Sequence, residues 1–75
     1  MKYQGHKNWN TWNVSLWINN DEGLYRLALE CIRATGNRQG AAAMMLRELQ
    51  GQGLEKTPDG APYSVSSIRA AMAGM

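Results

Sequence analysis

In 75 residues the sequence holds one cysteine, one histidine, two prolines and no phenylalanine. A lone thiol, Cys31, excludes an intramolecular disulfide and the paired thiolates of a structural zinc site. No apolar run approaches the roughly 18 residues of a membrane span, and the leader before Asn8 has no signal-peptide h-region. A cytoplasmic protein with no membrane association is the expectation. Charge never forms a block either: 8 Lys/Arg against 6 Asp/Glu leave a net +2 that is scattered along the chain, with no basic tract to grip nucleic acid. No internal repeat or low-complexity tract is present. The short motifs of the common enzyme classes are missing too: no phosphate-binding glycine loop, no nucleophile elbow and no His/Cys cluster.

Residues 1–75 read as one domain, since two independent cores need about twice the length. So short a domain, without covalent staples, buries only about 60% of its unfolded surface and leans on dense packing or on area added by a partner. Self-association or a partner macromolecule is therefore expected.

Three helical patterns stand out. The clearest helix begins at Asn19-Asn20-Asp21, where short polar side chains cap free amide groups and Asp21 with Glu22 place negative charge at the positive end of the dipole. Leu24, Leu27, Ala28, Cys31 and Ile32 then follow at i, i+3, i+4, i+7, i+8, until Gly36 supplies a left-handed stop. Glu22 with Arg26, and Arg26 with Glu30, are i, i+4 pairs on the wet side. After a polar turn, Ala42, Met45, Leu46 and Leu49 repeat the spacing up to Gly51 and Gly53. A loop from Leu54 to Pro62 contains a Pro-Asp-Gly turn, and Ser64 caps a last short helix whose Val65, Ile68, Met72 and Met75 share a face and whose end, near Gly74, is expected to fray.

The segment Thr11–Ile18 carries two patterns. As a strand, Trp12, Val14, Leu16 and Ile18 alternate with Thr11, Asn13, Ser15 and Trp17. As a helix it is apolar nearly all round, with Asn10 or Thr11 as cap. A strand must pair, and no second alternating run of this quality exists in the chain, so helix is the expectation and extended structure the alternative. The predicted fold is all-α, about four short helices, with the Trp/Asn segment packed on the helix from Glu22 to Thr35.

All three tryptophans and five of the six asparagines lie in the first twenty residues. Indole rings bury large area and their N–H groups need acceptors, so rings among amides build a small core tied at its polar edges. The alternative leaves Trp9 or Trp17 outside as an interaction anchor. Met44 lies about 100° from the core stripe and, with Ala41, is expected to form an exposed patch that serves as a second contact surface.

The run NWNTWNVSLWINNDEGLY resembles the signature of a family of short proteins of unknown function from bacteriophages, plasmids, bacteria and archaea, in which a TWNVxLWxxND segment precedes an amphipathic helix. The resemblance implies context and no catalytic residue. Small accessory proteins of mobile elements often bind and disable a host protein, including components of antiviral defence.

Other chemistry is weighed and set aside. Cys31 with His6 is the one conceivable nucleophile and base, but Cys31 sits on an apolar stripe and His6 in a polar leader, so no catalytic role is assigned. Asn19, Asn20, Asp21 and Glu22 are consecutive, whereas a calcium loop spaces its ligands over about twelve residues, so no metal or cofactor is expected. Two helices joined by a short glycine-containing turn outline a helix-turn-helix, in which Arg38 and Arg47 would reach phosphates or guanine edges. That alternative requires Arg26, Arg33, Arg38 and Arg47 to converge on one face. The function expected first is a non-enzymatic accessory protein that binds and inhibits a host protein.

Overall fold

Asn8 opens the first helix. In the computed structural model, which describes residues 7–75, the Asn8 side chain accepts a hydrogen bond from the Thr11 amide at 2.8 Å, and α1 runs Trp9–Asn20. The cap thus lies earlier than Asn10 or Thr11, because Trp9 and Asn10 form a wet first turn that apolar periodicity does not mark. The strand alternative for Thr11–Ile18 is not adopted. Two late asparagines help the helix close on itself: the Asn19 amide donates to the Ser15 carbonyl and the Asn20 amide to the Leu16 carbonyl, both at 2.9 Å. They belong to α1 and do not cap the next helix. That task falls to Asp21 alone, whose carboxylate accepts from the Leu24 amide at 2.9 Å while its own N–H donates to the Trp17 carbonyl. One residue therefore ends α1 and starts α2, Glu22–Thr35.

Gly36 stops α2 at φ 77°, with its N–H on the Ile32 carbonyl at 2.8 Å. Asn37 then caps α3, Arg38–Gly51, by accepting from the Gly40 amide. The fourth helix, α4 at Val65–Ala71, starts with a capping box between Ser64 and Ser67. Between α3 and α4 the chain folds back on itself: Thr57 N–H donates to the Ala61 carbonyl and Tyr63 N–H to the Glu55 carbonyl, around a turn that Gly60 makes at φ 98°. One antiparallel bridge, Lys56 with Pro62, is the only extended pairing among the described residues. The all-α fold of four short helices holds.

The helices pack in a ring, α1 on α2, α2 on α3, α3 on α4 and α4 back on α1, and the backbones of the diagonal pairs do not approach closely. The Trp/Asn helix thus rests on α2 as expected, but more extensively on α4. Val14 and Ile18, Ala28 and Cys31, Ala42, Met45 and Leu49, Ile68 and Met72 form one contiguous core, joined by Ala61 from the loop. Burial pushes the Cys31 thiol above its ordinary value, helped by the negative charges of Glu48 and Glu30. Ala41 is fully buried, so the expected exposed patch with Met44 does not exist; Ala41 faces the ring interior and Met44 does not. The end of α4 is tied down: the Asn19 amide donates to the Ala71 carbonyl at 3.2 Å, and Arg38 Nε to the Met72 carbonyl at 3.1 Å. The Ala71 carbonyl at the end of this seven-residue helix is thus held by a side chain from α1, and the Met72 carbonyl is shared between Arg38 and the Met75 N–H. Gly74 lies beyond this helix.

Candidate functional site

Asn13 is polar yet almost fully buried, and it organises the most chemically distinctive region of the molecule. Its amide nitrogen donates to Asp59 Oδ2 at 2.9 Å, and its oxygen accepts from the Thr57 hydroxyl at 2.6 Å. The Thr57 oxygen in turn accepts from the Ala61 amide at 3.0 Å. Trp17, one turn further along α1, donates its indole N–H to the same Asp59 oxygen at 2.9 Å. These two donors, Asn13 first, hold the Asp59 carboxyl below its ordinary value. The network clamps the Leu54–Pro62 loop against α1 and fixes the Trp17 ring at the loop edge.

Beside that ring lies a groove of about 370 Å³ walled by Trp17, Leu24, Leu54, Pro58 and Tyr63, with Asp21 and Lys56 on its rim. Three chain segments build it: the end of α1, the start of α2 and the folded loop. Trp17 and Tyr63 are half-buried, and Leu54 is among the most exposed large apolar side chains at 44%. Burial raises the Tyr63 phenol above its ordinary value, and the Asp21 carboxylate adds to this. Apolar walls with a thin charged rim suit a partner's apolar side chain, with opposite charges at the edge to fix its direction.

A second apolar feature lies on the outer side of α1. Trp9 and Leu16 are both exposed and, seven residues apart, share one face of the helix, about 80° to 100° round from Trp17. Of the two rings the sequence offers as anchors, Trp17 walls the groove and Trp9 stands on the open stripe.

The remaining candidates lie elsewhere. Met44 is exposed and lines a shallow depression on the seam of α2 and α3 with Leu27, Ala34 and the carboxylates of Glu30 and Glu48. Arg38 is drawn to the end of α4. Nine residues separate Arg38 from Arg47, which puts them on opposite sides of α3, about 180° apart. Arg26 is occupied by Glu22, 2.8 Å away, the only ion pair among the described residues. Arg38 and Arg47 thus share no face of α3. Because α1 and α3 sit on a diagonal of the ring, the five candidates Trp9, Trp17, Arg38, Met44 and Arg47 do not form one surface.

Catalytic and metal candidates resolve in the same way. Cys31 belongs to the core at 2% exposure and only borders the depression beside Met44, and His6 lies outside the described residues. Asn19 and Asn20 bond to backbone carbonyls, Asp21 caps α2 and Glu22 pairs with Arg26, so each of the four consecutive oxygen-bearing side chains has a structural task.

A model of a family of unknown function, DUF7249, matches residues 1–75. The chain belongs to DUF7249. Neither the curated proteins nor the solved structures contain a match to it. In this DUF7249 member the match takes in α1, the groove and α4 alike. Sequence reasoning missed Leu54, Pro58 and Tyr63 as groove residues, because it read their segment only as a loop. A lone apolar Leu54 after Gly51-Gln52-Gly53, and a tyrosine just before the Ser64 cap, were the available signals.

Proposed function

We propose that this protein is a non-enzymatic binding protein that docks a partner protein on the aromatic groove beside Trp17, with the Trp9 and Leu16 stripe of α1 extending the contact. The observation that carries the reading is the groove itself: a half-buried tryptophan and tyrosine, oriented by a buried hydrogen-bond network, flank an open apolar floor with one acid and one base at its rim. Rigid aromatic side chains in a prepared pocket are what binding hot spots consist of. A protein of 75 residues gains stability as well as occupancy from such a contact.

The finer reading rests on the sequence signature. Its likeness to short phage and plasmid proteins supports a mobile-element accessory protein, acting in the cytoplasm of a bacterial host, whose bound state inhibits a host protein such as a component of antiviral defence. The affinity test uses immobilised full-length chain and host lysate, comparing the native protein with Leu54→Ser, Trp9→Ala and Trp17→Ala. Among the described residues Leu54 and Trp9 make no side-chain hydrogen bond, so these two variants report on binding with the fold intact, verified by unchanged melting temperature. The expected result is one host protein retained by the native chain, weakened about thirtyfold by Trp17→Ala and measurably by Leu54→Ser. Retention of nothing specific, or of a partner indifferent to all three substitutions, overturns the proposal. Recovery of nucleic acid whose binding falls steeply with salt favours the helix-turn-helix alternative instead.

A further inference from the structure

Two adjoining depressions, of about 530 and 420 Å³, open where the first turn of α3 meets the outer face of α4. Both are lined by Arg38, Gln39 and Arg69, so the two guanidinium groups border one continuous cleft. Ser66 contributes a hydroxyl to one side and Asn37 an amide to the other. No carboxylate side chain lines either depression, and neither arginine pairs with an acid among the described residues. Val65, Ala70 and Ala73 complete the walls of the first depression, and Ile32, Gly36 and Met75 those of the second.

Charge of one sign gathered in a concavity is costly unless a counter-charge fills it. In a chain with only +2 net charge, Asp and Glu side chains were available to neutralise these arginines, and none lines the cleft. Arg38 is also held in position, since its Nε donates to the Met72 carbonyl at 3.1 Å, and no side-chain hydrogen bond among the described residues uses its terminal nitrogens. Arg69 makes no side-chain hydrogen bond among the described residues and keeps all its donors for a ligand. We propose that this cleft is an anion site that binds a compact phosphate-type oxyanion between Arg38 and Arg69, with Gln39 and Ser66 as neutral donors. Guanidinium forks match the oxygen spacing of a phosphate and bind it with paired, charge-assisted hydrogen bonds. The site is compact and not a track for a polymer, because Arg47 lies on the far side of α3. It is separate from the aromatic groove and independent of what that groove binds.

Backbone and arginine side-chain N–H shifts of the full-length chain, followed during titration with inorganic phosphate at constant ionic strength, test the proposal. The expected result is saturable movement at Arg38, Gln39, Ser66 and Arg69, with apparent affinity weakened about tenfold or more in Arg69→Gln and unchanged in Arg26→Gln. Arg69→Gln breaks no internal bond, so a loss there is a loss of the ligand contact even if Arg38→Gln disturbs α4. Movement that stays linear in phosphate, or that Arg69→Gln and Arg26→Gln reduce alike, overturns the site. A parallel titration with a short DNA duplex separates the sources of phosphate: binding that Arg47→Gln weakens as much as Arg69→Gln shows an extended polyanion surface and overturns the compact site.

Discussion

Asn13 shows how a single amide sets both stability and site geometry. It is 2% exposed, and each end of its side chain is committed, one to Asp59 and one to Thr57. Asn13→Ala leaves the buried Thr57 hydroxyl without its acceptor and releases the loop from α1, so a loss of about 1–3 kcal/mol is expected in urea unfolding. Trp17 fluorescence should change in the same variant, because its ring loses the neighbour that shares Asp59. Asp59 supplies a pH signature. Its folded value lies below the ordinary 3.8, so the stabilisation it gives is complete above that value and is lost as pH falls through the lower folded value. The melting-temperature gap between the native chain and Asp59→Asn should therefore be constant near neutrality and narrow below about pH 3.8; a gap that stays constant in acid would mean the two hydrogen bonds do not favour the carboxylate. Cys31, by contrast, is a thiol raised by burial and by two nearby glutamates that only borders the depression beside Met44, and should react with a thiol reagent much more slowly in the folded than in the unfolded chain.

At the level of the helix, what the sequence made legible follows the strength of its period. The stripe from Leu24 to Ile32, the stripe from Ala42 to Leu49 and the Ser64 cap were readable because a 3.6-residue repeat and a local cap are both short-range signals. α1 was hard to read because its apolar residues also alternate, and only the lack of a pairing strand decided for helix. Its start at Asn8 was missed since Trp9 points outward. The groove was not legible at all: Trp17, Leu24, Leu54 and Tyr63 meet only through the fold-back of the loop, which no local spacing encodes. Helix ends yield a prediction of opposite signs. Gly36 holds φ 77°, so Gly36→Ala should cost about 1–2 kcal/mol. Gly51 ends α3 with a φ outside the left-handed region and open space around the added carbon, so Gly51→Ala should stabilise by a few tenths to 1 kcal/mol. Chemical denaturation of the pair checks both signs; equal effects would contradict the backbone argument. Asn8→Ala, which removes the α1 cap, should cost about 1 kcal/mol.

For the whole molecule, the proposed docking would tie stability to binding, because one small ring of helices carries both the core and the groove. Only α4 closes the ring back onto α1, and it is seven residues long, held at its end by Asn19 and Arg38. A chain of 75 residues has a total stability of roughly 4–11 kcal/mol. Leu49 is 1% exposed, and its truncation to alanine should cost about 2–5 kcal/mol, a large share of that total. Leu49 lies on α3 and does not line the aromatic groove, so a partner that docks there binds folded Leu49→Ala molecules as it binds the native chain. By mass action, free partner at a hundred times its dissociation constant adds about 2.7 kcal/mol to either protein. The expected outcome is a melting transition of Leu49→Ala that is low and shallow alone and returns close to the native position with partner present. Leu54→Ser, stable alone, should gain much less at the same partner concentration. If the partner raises both variants equally, the docking surface lies outside the groove, and if it does not raise Leu49→Ala, it does not bind the folded chain and the docking proposal fails.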